Sequence, residues 1–305
     1  MPTPTIAPPR HDVRFASHGS ACAAWLYPAP VRPAPIIVMA HGLGGVKTMR
    51  LAAFAERFRA AGYACLVFDY RHFGDSEGEP RELLSVPRQL EDWEAAVAYA
   101  RTIDGVDPDR VILWGTSFAG GHVITTAARD ARIAAAVVQG PFTDGIASAL
   151  ALDPRASLRM APRVLRDLAA AARGRPPVRV PAYGIPGTGA LMTAPDAYAG
   201  LLRLTEASDL EEAPPRDVPA RIALGIPRYR PGRHTKNIRC PILFCVCDND
   251  TVAPAKATLR YAAQAPRGEV RRYAHGHFDI YIGDAFEEVV ADQLAFLQSK
   301  VPVTG

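Results

Sequence analysis

The sequence predicts an α/β fold: a mostly parallel central sheet with helices on both faces, interrupted by a helical insertion. Three observations carry that expectation. Uniformly apolar runs of strand length alternate with stretches whose apolar residues recur at helical spacing. The alternation breaks for roughly 90 residues and then resumes. Polar residues capable of chemistry cluster just after the apolar runs, where sites of parallel sheets gather.

Taken in order, residues 12–16 and 21–27 read as two short strands joined by a turn at His18, Gly19 and Ser20. The continuous apolar run Pro35-Ile36-Ile37-Val38-Met39-Ala40 reads as a strand buried on both faces. A glycine loop leads to a helix over 49–61, with Leu51, Phe54, Ala55 and Phe58 on one stripe and Gly62 as its stop. Residues 64–68 form the next strand. A helix over 89–101 carries Leu90, Trp93, Val97 and Ala100 on one face, and 111–114 is another buried strand. Residues 118–129 are helical and 133–138 extended.

From about 142 to 234 no further buried strand is legible, only short helical stretches punctuated by Pro and Gly. One is 161–173, with Pro162 in its first turn and Val164, Leu165 and Leu168 apolar; another is 195–204. Alternation then resumes with a strand at 241–247, a helix at 254–263, a strand at 269–274 and a helix at 285–298. A structureless loop of that length is improbable, so 142–234 is expected to be a helical cap inserted between two parts of one core, 1–141 and 235–305.

With 305 residues, 49% of them hydrophobic and 22% charged, the chain matches an ordinary globular protein able to bury a sizeable core. Its formal charge of +4 comes almost entirely from arginine, with no run dense enough for nucleic acid or a polybasic membrane patch. Five cysteines, without a C-x-x-C pair, read as buried hydrophobes in a reduced, cytoplasmic protein. No metal site is legible around Cys240, Cys245 and Cys247. The N-terminal stretch has no apolar signal-peptide core, and no stretch is long enough to span a membrane.

The chemistry lies in segments far apart in the chain. Ser117, in Gly115-Thr116-Ser117-Phe118-Ala119-Gly120, sits on a sharp strand-to-helix turn that would push its hydroxyl out above the sheet. Ala119 stands where G-x-S-x-G has its last glycine; alanine is small enough to keep the turn feasible. A serine nucleophile needs a base, and the base an orienting acid. Asp250 follows a buried strand and is preferred over Asp248 as that acid. His277, after the last strand, is preferred over His275 as the base. The order Ser, acid, His differs from the other common triad arrangements. Oxyanion-hole donors are expected at the backbone N–H of Phe118 and of Leu43, the latter within the loop His41-Gly42-Leu43-Gly44-Gly45. His41 is expected to make a structural hydrogen bond in that loop.

The segments Met39 to Lys47, Val67 to Ser76 and Gly115 to Gly121 resemble the α/β-hydrolase superfamily. The likeness is greatest to the branch of Xaa-Pro dipeptidyl-peptidase-like hydrolases, dienelactone-hydrolase-like proteins and polyketide transferases. It covers about two thirds of the chain, everything but the cap. It implies an α/β-hydrolase fold, and an esterase, thioesterase, peptidase or acyltransferase activity. It also implies that Asp69 to Ser76 packs beside the oxyanion loop, where Asp69 and Arg71 are read as a structural pair.

The expectation is therefore a serine hydrolase that cleaves a small-molecule carboxylic ester or thioester, free or carrier-linked, through a Ser117 acyl-enzyme without cofactor or metal. The alternatives are acyl transfer through the same acyl-enzyme, peptide hydrolysis, or a non-catalytic ligand binder. Phe142, Leu191 and Met192 are expected to line the acyl pocket. Arg155, Arg159, Arg163 and Arg166 read as a solvated face, broken by Pro162, with contact to an anionic carrier as the sharper option.

Overall fold

The computed structural model describes residues 10–150, 154–208 and 217–303. An eight-stranded sheet forms the centre, in the order β1-β2-β4-β3-β5-β6-β9-β10. The first hairpin pairs β1 (His11–Ser17) with β2 (Ser20–Tyr27) through a turn in which His18 and Gly19 both take positive φ, 45° and 84°. That turn suits the twist of a two-residue hairpin. β2 runs antiparallel to β4 (Ala64–Phe68). The remaining strands, β3 (Ala34–Ala40), β5 (Val106–Thr116), β6 (Ile133–Gln139), β9 (Ile242–Cys247) and β10 (Gly268–Tyr273), pair in parallel. Every residue of β3, β4 and β9 is buried, which is why these strands read as unbroken apolar runs.

The helices follow the expected stripes. α1 (Leu51–Ala60) buries Leu51, Phe54, Ala55 and Phe58, and ends where Gly62 takes φ 98°. There the N–H of Tyr63 reaches Phe58 O (3.1 Å) and that of Gly62 reaches Arg59 O (2.9 Å), which caps two otherwise orphaned carbonyls. α2 (Val86–Ala100) starts earlier than its apolar stripe suggests, with Pro87 in its first turn. α3 (Phe118–Arg129), α8 (Ala255–Ala262) and α9 (Gly283–Lys300) complete the helical layers. Cys22, Cys65, Cys240, Cys245 and Cys247 are all buried free thiols. Burial pushes the Cys240 thiol up to about 11, so it stays protonated.

Residues 142–234 depart from the expectation in two ways. The segment holds α4 (Gly145–Leu150), α5 (Pro154–Ala172), β7 (Arg179–Pro181), α6 (Ala197–Glu206), β8 (Asp217–Pro219) and α7 (Ile222–Gly225). Two short strands are thus present where only helical stretches were legible: β7 and β8 pair antiparallel, with Val180 and Val218 covered. Three-residue strands containing proline carry no readable alternation. Second, α5 runs continuously through Pro162 instead of starting at it. Met160 before the proline and Val164 and Asp167 after it are buried on one face, which offsets the lost hydrogen bond. Asp167 anchors that face by accepting from Arg221 Nε (2.7 Å) and the Val178 N–H (2.9 Å). Arg159, Arg163 and Arg166 accordingly lie exposed along one helix; the side chain of Arg155 is outside the described residues. Leu165 and Leu168, apolar residues of that helix, are exposed.

No helix of the described residues is long and apolar enough to cross a membrane.

Candidate active site

The C-terminal ends of β3, β5, β6, β9 and β10 meet above the sheet, and each delivers one part of the site. Ser117 occupies the junction between β5 and α3 with φ 55° and ψ −120°, a backbone region that non-glycine residues rarely adopt. The turn is held by the Ser117 N–H donating to Gln139 O (2.8 Å) and the Phe142 N–H donating to Ser117 O (2.8 Å). Its tightness explains Gly115, where a Cβ would stand 2.6 Å from the Ala119 carbonyl oxygen. Ala119 itself is fully buried, so the methyl group in place of the usual glycine is accommodated.

The loop after β10 brings the His277 Nε2 to 3.0 Å from Ser117 Oγ. On the other side of the ring, Nδ1 lies 2.7 Å from Asp250 Oδ2. The second oxygen of Asp250 accepts the N–H groups of Val252 (2.8 Å) and Ala253 (2.6 Å), which fixes the carboxylate plane. His277 and Asp250 have side chains only 3% and 1% exposed, so their hydrogen bond acts in a water-poor setting. Burial alone would push the imidazole down, but the adjacent Asp250 carboxylate and, behind it, Asp196 outweigh this and hold His277 above its ordinary value.

The rivals lie elsewhere. Asp248 accepts from Arg272 Nε at 2.9 Å, and His275 Nε2 faces Glu288 at 2.9 Å, both on the surface.

In the loop after β3, Gly42 N–H donates to His41 Nδ1 (2.8 Å) and Gly45 N–H to Gly42 O (3.2 Å), an arrangement that leaves the Leu43 N–H out. Burial keeps the His41 ring neutral, pushed down to about 4, and it stacks on Tyr281 at 5.9 Å. Phe118 N–H lies at the first turn of α3, where helix N–H groups lack intrahelical partners. Leu43, Ser117 and Phe118 all border one cavity of about 970 Å³ including its mouth. Phe142, Leu191 and Met192 border it as well. Among the described residues, no charged side chain lines it.

One sequence expectation is corrected here. Asp69 and Arg71 do not pair with each other. Asp69 is bonded to Lys47, at 2.6 Å from Nζ and 2.7 Å from the backbone N–H, and so braces the loop after β3. Arg71 instead reaches Asp92 (2.5 Å) and Glu91 (2.6 Å) on α2. Side chains two apart at a strand end continue toward one face only if the backbone stays extended, and this segment turns at once: His72 has φ 76°.

A family model described as the alpha/beta hydrolase family matches residues 11–292. The chain belongs to the α/β-hydrolase family. Among relatives, quorum-quenching protein AidA of Acinetobacter baumannii (strain MDR-ZJ06) is 55% identical over 293 residues, covering 96% of this chain and 95% of its own. At lower identity, relatives carry the names thiohydrolase and polyketide transferase. Thiohydrolase aneE of Aspergillus aculeatus is 29% identical over 272 residues, 87% of this chain and 85% of that one. The crystal structure of the alpha/beta hydrolase GrgF from Penicillium sp. sh18 superposes with a TM-score of 0.82 at 25% identity, covering 96% of this chain and 99% of that chain. This α/β hydrolase is thus an enzyme of a family whose members include proteins named thiohydrolase and polyketide transferase.

Some residues at the site carry no sequence signal. Tyr183 donates its hydroxyl to the Leu43 carbonyl, and Asp196 accepts from Thr251 beside Asp250. Both stand in irregular stretches of 142–234, where neither periodicity nor motif singles out one polar residue.

Proposed function

We propose that this enzyme is a serine hydrolase cleaving a carboxylic ester or thioester with an uncharged, largely apolar acyl group. The unbroken line of contacts from Asp250 through His277 to Ser117, ending in an apolar cavity, is the observation that carries the reading. In it, Ser117 Oγ attacks the acyl carbon as its proton passes to His277 Nε2. The developing oxyanion lies between the N–H groups of Leu43 and Phe118. The imidazolium then protonates the departing alkoxide or thiolate, leaving an ester on Ser117. A water deprotonated by His277 attacks that ester, releases the carboxylic acid and restores Ser117. Asp250 holds the Nδ1–H tautomer throughout.

The segment 142–234 serves as a cap in this reading, with its residues forming much of the cavity wall. One relative is named for quorum quenching, and others are named thiohydrolases, which keeps thioesters among the candidate substrates. Acyl transfer is the second reading, supported by the relatives named polyketide transferases. It uses the same acyl-enzyme, with an alcohol or amine replacing water.

Product release from a panel of acyl lengths, each as an oxygen ester and a thioester, tests the proposal; adding alcohol or amine acceptors separates transfer from hydrolysis. Cleavage of no member of the panel would defeat it. Enlarging or polar substitution of Leu191 or Met192, such as Met192→Trp or Leu191→Asn, should change which acyl chain is preferred by about 1–3 kcal/mol in relative kcat/KM. Labelling of Ser117 by a small fluorophosphonate should be unaffected. An unmoved acyl preference would exclude these residues from the acyl pocket.

The pH dependence has a definite sign. His277 must be neutral to accept the serine proton, and its neighbours raise its affinity for a proton. Acylation should therefore fall on acidification with a midpoint above the ordinary histidine value of about 6.5. Pre-steady-state acylation measured across pH checks this, and a midpoint below that value would contradict the electrostatic account.

A further inference from the structure

Helix α6 and the residue just before it touch both loops that carry the acid and the base. Gly200 faces Phe278 so closely that a Cβ there would stand 2.3 Å from the ring, and Phe278 in turn packs its ring edge-on against His277 at 5.1 Å. Arg203 donates to Asp279 Oδ1 (2.8 Å), whose Oδ2 accepts the Gly276 N–H (2.8 Å). The third contact is Asp196, the residue before α6. Its Oδ1 accepts from Thr251 Oγ1, the neighbour of Asp250. Its Oδ2 lies 3.4 Å from the point where a Cβ on Gly276 would stand, beside His277. One carboxylate from 142–234 is therefore bonded to the acid loop and lies close beside the base loop.

The charges around His277 make Asp196 distinctive. Asp250 is bonded to the ring, and Asp279 is offset by Arg203. His275 on the same loop turns outward to Glu288, and His41 across the site is held neutral by burial. Among the described residues Asp196 has no lysine or arginine in an ion pair with it. It is half-buried, which leaves its field less screened than that of a surface carboxylate.

We propose that Asp196 is a positioning residue for His277, anchored by Thr251 beside the Gly276 loop and stabilising the imidazolium that forms when Ser117 loses its proton. The proposal rests on the triad reading above. The raised proton affinity of His277, to which Asp196 contributes after burial and Asp250 have acted, agrees with this placement.

The test is the rate of Ser117 labelling by a fluorophosphonate across roughly pH 5 to 9, a range that brackets histidine titration. It compares the wild type with Asp196→Asn, Asp196→Ser, Asp196→Glu and Thr251→Val. Serine is included because it removes the charge and remains a competent residue ahead of a helix. Loss of the charge should move the acid limb to lower pH and lower the plateau about two- to fivefold, the range for a partly exposed charge interaction. Asp196→Glu should restore the limb. Thr251→Val, which keeps the carboxylate, should lower the plateau and leave the limb in place. An acid limb unchanged in both charge-removing variants would overturn the proposal, as would Thr251→Val shifting it equally. A wild type that is not labelled at Ser117 would instead defeat the triad reading itself.

Discussion

Ser117→Ala is expected to reduce turnover by about a million-fold, the loss seen when a nucleophile that works with its base as a unit is removed. The hydroxyl contacts His277 Nε2 at 3.0 Å and takes no other part in the fold. Ser117 already holds φ 55°, so alanine inherits the same strained backbone and adds no new strain. Thermal unfolding should therefore be nearly unchanged while ester hydrolysis disappears. Retention of more than a few per cent of activity, with substrate turnover assigned to this enzyme by purification to homogeneity, would remove Ser117 from the mechanism. A second expected consequence is loss of fluorophosphonate labelling, because the proposed covalent bond forms at the Ser117 hydroxyl that alanine lacks.

The core was legible because its strands are covered on both faces. Ile36 to Ala40, Ala64 to Phe68 and Ile242 to Cys247 leave no residue in water, so composition alone marks them. Segment 142–234 was less legible because its helices depend on distant anchors. α5 passes through Pro162 since Asp167 is tied to Arg221, fifty-four positions away, and no local window contains that information. The same limit separates Asp69 from Arg71: both were visible as polar residues after a strand, but Lys47 and Asp92, which bind them, are 22 and 21 positions off. At the site, the loop positions of Ser117, His277 and the two aspartates could be read from strand ends. Which aspartate faces the histidine depends on how the loop turns after Cys247, and that turn is set by the N–H groups of Val252 and Ala253. Asp196 was not legible at all, being one acidic residue among nine in 142–234 with nothing local to mark it.

Asp250→Asn should lower kcat by about four orders of magnitude, far more than Asp248→Asn. The hydrogen-bond pattern at position 250 gives the reason. One oxygen of Asp250 accepts two backbone N–H groups, so an asparagine would turn its own oxygen there to keep them satisfied. Its NH2 would then point at His277 Nδ1, at the 2.7 Å position now filled by a carboxylate oxygen. A donor facing Nδ1 requires that nitrogen to accept, which moves the ring proton to Nε2, the side facing Ser117. The base is then in the wrong tautomer, and the imidazolium loses its counter-charge. Asp248→Asn removes only a surface contact to Arg272, whose partners are 34% and 59% exposed and whose pairing contributes under about 1 kcal/mol. Its kcat should stay within a few-fold of wild type. Measuring kcat for both variants on one ester, with folding checked by thermal unfolding, decides between the two carboxylates. If Asp248→Asn proved the more damaging, the orienting acid would have to be Asp248, and the contact between Asp250 and His277 would be structural.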